Sequence, residues 1–254
     1  MINVADVCRK TTAWKRVWNE DAIFSLHTQS TPGTPVYIEA VIDGISNSNG
    51  KIAAQLAVQT LYPAISNFVF PLLPGLAIAE DSSIGDQLSQ ALRSVILAVH
   101  QHLCDNSRRL GEDLGCTLSL AVLACNSVFT ANVGDSPILL VTDPGVQELY
   151  CPQQQGGDLY TLEKWCGPPG DTLACQEDIP IHRIELDEDG ILLLGTDGAL
   201  ARSAIAPETL FSVLQDAWKD NWTMEEMVDC ICNYVDQSDS SDNLSMIALR
   251  YCIS

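Results

Sequence analysis

Hydrophobic positions along this chain recur at two spacings, and each change of spacing marks a change of element. Residues 22–28 and 36–42 read as strands, joined by a Thr/Pro/Gly-rich turn from Thr28 to Pro35. After Gly50 the apolar positions move four and five residues apart: Ile52, Leu56 and Leu61 predict a helix. Pro63 is expected to end it, because proline brings no N–H to an interior helical position. Pro71 to Pro74 reads as a loop. Leu88, Leu92, Val95, Val99 and Leu103 then step along one face of a second helix. His102 borders that stripe, where a hydrogen-bonded boundary histidine is the simpler reading than a ligand.

Strand character returns from Thr117 to Val141, with polar turns expected at Asn126-Ser127 and Asp135-Ser136. Residues 151–176 contain Gln153-Gln-Gln-Gly-Gly157 and Gly167-Pro-Pro-Gly170 and read as an irregular connection or lid. Strands at 180–186 and 190–195 precede two helices. The second opens at Thr223 with Glu226 three residues on, a capping box, and Met227, Ile231 and Tyr234 form its expected buried face. Leu244 to Arg250 is a last strand. Strands dominate both halves and helices come in pairs, so the expected class is α+β, antiparallel sheets covered by helices. No linker or repeat interrupts residues 1–254, which are expected to form a single domain.

Hydrophobic residues make up 46% of the chain and charged ones 18%, a globular balance. The formal net charge of −20, from 33 acids and 13 bases, argues against nucleic acid or an anionic membrane as partner. A phosphorylated substrate would need local positive charge against that background. The ten cysteines form no C-x-x-C pair and show no zinc-type spacing with the four histidines. Cys230 and Cys232 share a predicted helix but face different sides. With no signal peptide at Met1 and no apolar run of membrane-spanning length expected, the cytoplasm is the expected compartment.

Carboxylates punctuate the apolar runs. Val36-Tyr-Ile-Glu-Ala-Val-Ile-Asp43-Gly44, Phe129-Thr-Ala-Asn-Val-Gly-Asp135-Ser136 and Gly190-Ile-Leu-Leu-Leu-Gly-Thr-Asp197-Gly198 each end a strand in an acid at a tight turn. One such turn is ordinary. Several acids at one rim of a sheet would repel one another unless a cation sat among them, and a divalent metal is the simplest.

The order of the motifs carries more than any one of them. Arg16-Val-Trp-Asn19-Glu20-Asp21 is followed by Val41-Ile-Asp43-Gly44, Gly115-Cys-Thr117-Leu, Ala131-Asn-Val-Gly-Asp135-Ser136, Gly195-Thr-Asp197-Gly198 and Ser241-Asp242-Asn243-Leu-Ser-Met-Ile. From Arg16 to Arg250 this series resembles the metal-dependent protein phosphatases, the type 2C serine/threonine phosphatases, and in particular their compact bacterial branch.

The resemblance implies a four-layer α-β-β-α sandwich, two antiparallel sheets packed face to face with helix pairs outside. It implies two Mn²⁺ or Mg²⁺ ions at one end, bridged by Asp43. One ion would also use Asp197 and Asp242, the other Glu20 and the Gly44 carbonyl. Asp21 would orient coordinated water, Asp135 would help bind a third, weaker ion, and Arg16 would hold phosphate. The implied partner is a phosphorylated protein, acted on by a monomer. Oxygen ligands of this kind select hard cations, which lower the pKa of a shared water and neutralise phosphoryl charge. A guanidinium can hold two phosphate oxygens at once.

Three segments depart from the family pattern. After Asp43 the bacterial branch has two further glycines and a histidine, where this chain has Gly44-Ile-Ser-Asn-Ser-Asn-Gly50, so no side chain there can protonate a leaving alkoxide. Pro137 stands where an arginine usually follows Gly-Asp-Ser, and the family's Asp-His-Ser segment is not recognisable between Gln147 and Gly157. Two other readings compete. A phosphatase-like domain of weak or no activity could bind and regulate a phosphoprotein. An aspartyl-phosphate hydrolase would need a second acid two residues after Asp43, where Ile45 stands.

Overall fold

Strand alternation decides how this chain layers. In β3 (Pro35–Ile42), Val36, Ile38, Ala40 and Ile42 enter one core, while Tyr37 and Val41 enter another on the opposite face. β4 (Leu118–Ala124) repeats the pattern, with Leu118, Leu120, Val122 and Ala124 on the first side and Ala121 and Leu123 on the second. Successive side chains of a strand point to opposite faces, so a strand apolar at every position must be covered twice. The computed structural model describes residues 2–30, 33–76, 82–143, 145–149, 162, 164–168, 179–201 and 204–253.

Two sheets of five antiparallel strands result. In one, β2 (Ala22–Gln29), β3, β4, β5 (Ser127–Val133) and β8 (Ile181–Glu185) lie side by side. The other runs β1 (Ile2–Thr12), β10 (Leu244–Ile253), β9 (Gly190–Gly195), β6 (Ile138–Thr142) and β7 (Gly145–Glu148). Between the sheets lie Val41, Leu123, Val128, Leu192, Leu194, Ile247 and Leu249. Helices α1 (Gly50–Phe68) and α3 (Ser82–Leu110) cover the first sheet. The second is covered by α5 (Pro207–Lys219) and α6 (Met224–Gln237), together with the one-turn α4 (Asp197–Leu200). The architecture is the α-β-β-α sandwich that the resemblance implies.

Several expectations need correction. β1 stands where the sequence reading placed no element, since a bulge between Val4 and Asp6 shifts its register against β10 and breaks its alternation. Helix α1 runs through Pro63, whose ring sits on the exposed side while Leu61, Ala64 and Ile65 are buried. That packing offsets the proline penalty of about 3 kcal/mol. The stretch Pro71 to Pro74 is largely helical, with a 3-10 turn at Phe70–Leu72 leading into α2 (Leu73–Leu76). Tyr234 is exposed, and Val235 takes the inward position on α6. The β4–β5 turn falls at Cys125-Asn126, one residue early. By length and hydropathy, Gly50–Gly75 equals a membrane-spanning segment. Ala53, Ala54, Ala57, Leu61 and Ile65 instead pack it into the core shared with α3 and the sheet.

The capping box at Thr223 and Glu226 is present. His102 bonds Asn106 within α3. Of the cysteines, 8, 104, 116, 125, 166, 230, 232 and 252 are free thiols. The expected lid falls mostly outside the described residues.

One charged cluster sits between the sheets. Glu39 is fully buried, accepts from Arg9 at 2.7 Å and from Ser25 at 3.0 Å, and has His27 Nε2 at 2.9 Å. It ties the edge strands β1 and β2 across the sandwich. Removing one partner of such a pair leaves the other uncompensated, so Glu39→Ala is expected to lose about 3 kcal/mol in urea unfolding. An unchanged midpoint would show that the cluster contributes nothing.

Candidate metal centre

Six motif segments meet at one end of the sandwich, and hydrogen bonds between them fix their registry. Asp43 follows the last residue of β3, on the strand face that points between the sheets. Its carbonyl accepts from Thr117 N at 2.8 Å, and its N–H donates to Thr117 Oγ1 at 3.3 Å. Thr117 Oγ1 lies 2.8 Å from Ser136 Oγ, tying the Asp135 loop to the same edge. Across the sandwich, Thr196 follows β9 and donates from Oγ1 to Asp21 Oδ2 at 3.0 Å, while its N–H donates to Ser245 O. Asn243 closes the ring of loops. Its Oδ1 accepts from Glu20 N at 2.8 Å, and its Nδ2 donates to the carbonyls of Ala13 and Trp18.

Two glycines permit this approach. A Cβ on Gly198 would strike the Asn243 carbonyl and Asp242 Cβ, and one on Gly44 would strike Glu20 O and the backbone of Gly50. The motif glycines are therefore contact points between loops as well as turn formers.

The predicted acids fall into two adjoining groups. Asp21, Asp43 and Asp197 form the inner one, with the Asp43 carboxyl near enough to both neighbours to share a proton with them. Burial, then the charges of Asp197 and Asp21, drives the Asp43 carboxyl well above the usual carboxylate range. Burial pushes Asp21 up to about 7 against bonds from Ser245, Asp43 and Thr196 that pull it down. It pushes Asp197 to about 6, with Asp135 and Asp242 adding repulsion. Carboxyls this close must share protons or a cation.

The outer group is Arg16, Glu20, Ser46 and Asp242. Arg16 Nη1 donates to Glu20 Oε2 at 3.1 Å, and Nη2 lies 2.9 Å from Asp242 Oδ1. Ser46 Oγ donates to Glu20 Oε2 at 2.6 Å and accepts from Arg16 Nη1. The arginine thus neutralises two of the acids assigned as ligands.

This donor set fits a hard divalent cation. Every donor is a carboxylate or carbonyl oxygen. Among the described residues the buried Asp21 Oδ1 and Asp197 Oδ1 have no hydrogen-bond partner, which is costly for buried carboxyl oxygens unless something positive meets them. The cage is not preset: among the described residues, no three His, Cys, Asp or Glu side chains are spaced to hold an ion. An ion held by these acids would need Asp43 and Asp197 to give up any shared proton and Arg16 to release Glu20 and Asp242.

Of the acids named from the sequence, Glu20, Asp21, Asp43, Asp197 and Asp242 therefore share one rim, together with Arg16 and Gly44. Asp135 is the outlier, joined to the group through its charge on Asp197. Sequence reasoning gave no roles to Ser46, Thr196 or Asn243. Thr196 and Asn243 stand beside acids in quoted motifs, a signal that could have found them. Ser46 lies in a segment that departs from the family pattern, so nothing pointed to it.

The fold is that of bacterial serine/threonine phosphatases. Stp1 from Staphylococcus aureus superposes with a TM-score of 0.73 at 17% identity, over 99% of this chain and 96% of that one. The Mycobacterium tuberculosis serine/threonine phosphatase PstP/Ppp gives 0.72 at 15% identity, over 100% and 99%. An S. agalactiae serine/threonine phosphatase gives 0.69 at 16%, over 100% of both chains. No curated protein matches by sequence. The family model for Protein phosphatase 2C matches residues 15–245, and the chain belongs to that family.

Proposed function

We propose that this chain is an Mn²⁺- or Mg²⁺-dependent phosphatase that hydrolyses phosphoserine and phosphothreonine in proteins, as a cytoplasmic monomer of one domain. The observation that carries the reading is the inner carboxyl group: three acids from distant motifs, two with orphan oxygens, beside a guanidinium. In this reading Asp43, Asp197, Asp242, Glu20 and the Gly44 carbonyl would hold two ions, and Asp135 would contribute to a third. Such ions would make water a stronger nucleophile near neutral pH and would set positive charge against the phosphoryl oxygens.

The chain's own residues do the rest. Arg16, released from Glu20 and Asp242, can clamp two phosphoryl oxygens and hold phosphorus for in-line attack. Asp21, anchored by Thr196, keeps Oδ1 free to accept from water and orient it. Ile45 and Ser48 offer no general acid, so the leaving oxygen must depart without a proton from that segment.

Phosphate release measured with Mn²⁺, Mg²⁺ and EDTA tests the proposal. Release is expected with either metal, and EDTA or Asp197→Ala is expected to abolish it. Turnover of p-nitrophenyl phosphate should exceed that of phosphoserine peptides, since its leaving group needs no acid. A fully active Asp197→Ala protein would falsify the metal assignment. The Arg16 contacts also suit a regulatory domain that binds phosphoprotein without turnover. Calorimetric titration separates the two readings: Mn²⁺ at two or more sites supports the enzyme, and no binding supports the regulator.

A further inference from the structure

Among the described residues seven large hydrophobic side chains are strongly exposed, and the two most accessible are neighbours: Val17 at 84% and Trp18 at 65%. They sit between Arg16 and Glu20, on the loop that forms the outer wall of the candidate centre. Burial of a tryptophan is normally strongly favoured, so one held out at a site rim needs a reason.

The loop is not loosely placed. Trp18 O accepts from Asn243 Nδ2 at 2.9 Å, and Glu20 N donates to Asn243 Oδ1 at 2.8 Å. Asn19 Nδ2 donates to Thr11 Oγ1 at 2.8 Å, and Arg16 N donates to Ala13 O at 2.9 Å. The ring itself is held, with Lys51 Nζ 4.7 Å from its centroid. Ile52, the next residue of α1, is also exposed.

We infer that Val17 and Trp18 form a platform for the substrate chain, selecting apolar side chains directly beside the phosphorylated residue. The inference rests on the phosphatase reading and extends it to substrate class. Trp18 lies two residues from Arg16 along the loop, and each residue of an extended chain advances only about 3.3 Å, so the residues flanking a phosphate held at Arg16 come within reach of Trp18. Three chemistries could use such a surface. Acidic flanks are repelled by the formal charge of −20. Basic flanks are attracted by that charge over the molecule as a whole, but at this loop they meet a ring that already carries the Lys51 ammonium and an apolar Val17, so their gain is not made on the platform. Apolar flanks gain from both side chains, because each buries hydrocarbon against them.

Three phosphoserine peptides of equal length, flanked by leucine, serine or lysine, test this with Mn²⁺ on wild type, Trp18→Ala and Trp18→Phe. Wild type is expected to favour leucine over serine flanks by about tenfold, expressed in KM with kcat nearly equal. Trp18→Ala should collapse that ratio to about one, and Trp18→Phe should keep most of it. A general loss of structure lowers turnover of all peptides together and leaves the ratio intact. Equal use of leucine and serine peptides by wild type, a preference for lysine flanks, or an unchanged ratio in Trp18→Ala overturns the inference. Wild-type turnover of p-nitrophenyl phosphate reports the phosphatase reading separately. Activity there without peptide discrimination sinks only the platform, and no activity sinks both.

Discussion

Asp43→Asn is expected to melt at a higher temperature than wild type in EDTA, and to release no phosphate above background in Mn²⁺. Asp43 lies against Asp21 and Asp197, and burial plus their charges disfavours its ionised form. An asparagine keeps the shape and a hydrogen-bond donor while removing the charge. Relief of buried like-charge repulsion is worth about 1–3 kcal/mol, which raises the melting temperature of a domain this size by several degrees. Activity should fall on the order of 10³-fold or more, because the proposed bridging ligand is gone. Opposite signs for stability and activity mark a strained functional site. A variant that melts lower in EDTA would show that the cluster is simply structural.

Acidity should govern the same cluster in wild type. With EDTA present, stability is expected to decline as pH rises from about 4 to about 7. The sign follows from the shifts: Asp21 titrates near 7 and Asp197 near 6 in the folded protein, against 3.8 for an ordinary aspartate. A raised folded pKa means that the native state holds protons the unfolded chain has lost. Its contribution is complete below the unfolded value and vanishes as pH climbs through the folded one. For Asp21 alone this is on the order of 4 kcal/mol. Mn²⁺ should reverse the trend above pH 7, because its ligands must be deprotonated to bind. Thermal melts at several pH values, with EDTA and with Mn²⁺, read both effects. A flat profile in EDTA would mean that the acids do not share protons.

The elements that sequence reasoning located well are those whose burial is simple. β4 and β5 are buried on both faces, and α3 keeps one stripe from Leu88 to Leu103. Errors fell where tertiary packing outweighed a local rule. Pro63 was expected to end α1, yet an exposed ring costs less than losing the burial of Leu61 and Ile65. β1 escaped notice because a bulge breaks its alternation, although it pairs along nearly its whole length with β10. At the rim, the acids were legible from their motifs. Their partition was not, since hydrogen bonds among Arg16, Ser46 and Glu20 depend on loops distant in the chain.

Taken alone, the sequence determined which residues end strands in carboxylates, and in what order. Those properties are local: a β-rich run stops where Asp and Gly make a turn, whatever lies elsewhere. Only the tertiary structure decided that Asp21, Asp43 and Asp197 share one low-dielectric pocket while Arg16 clasps Glu20 and Asp242 beside it. Charge interactions depend on distance and burial, and neither is written in the spacing of residues along the chain.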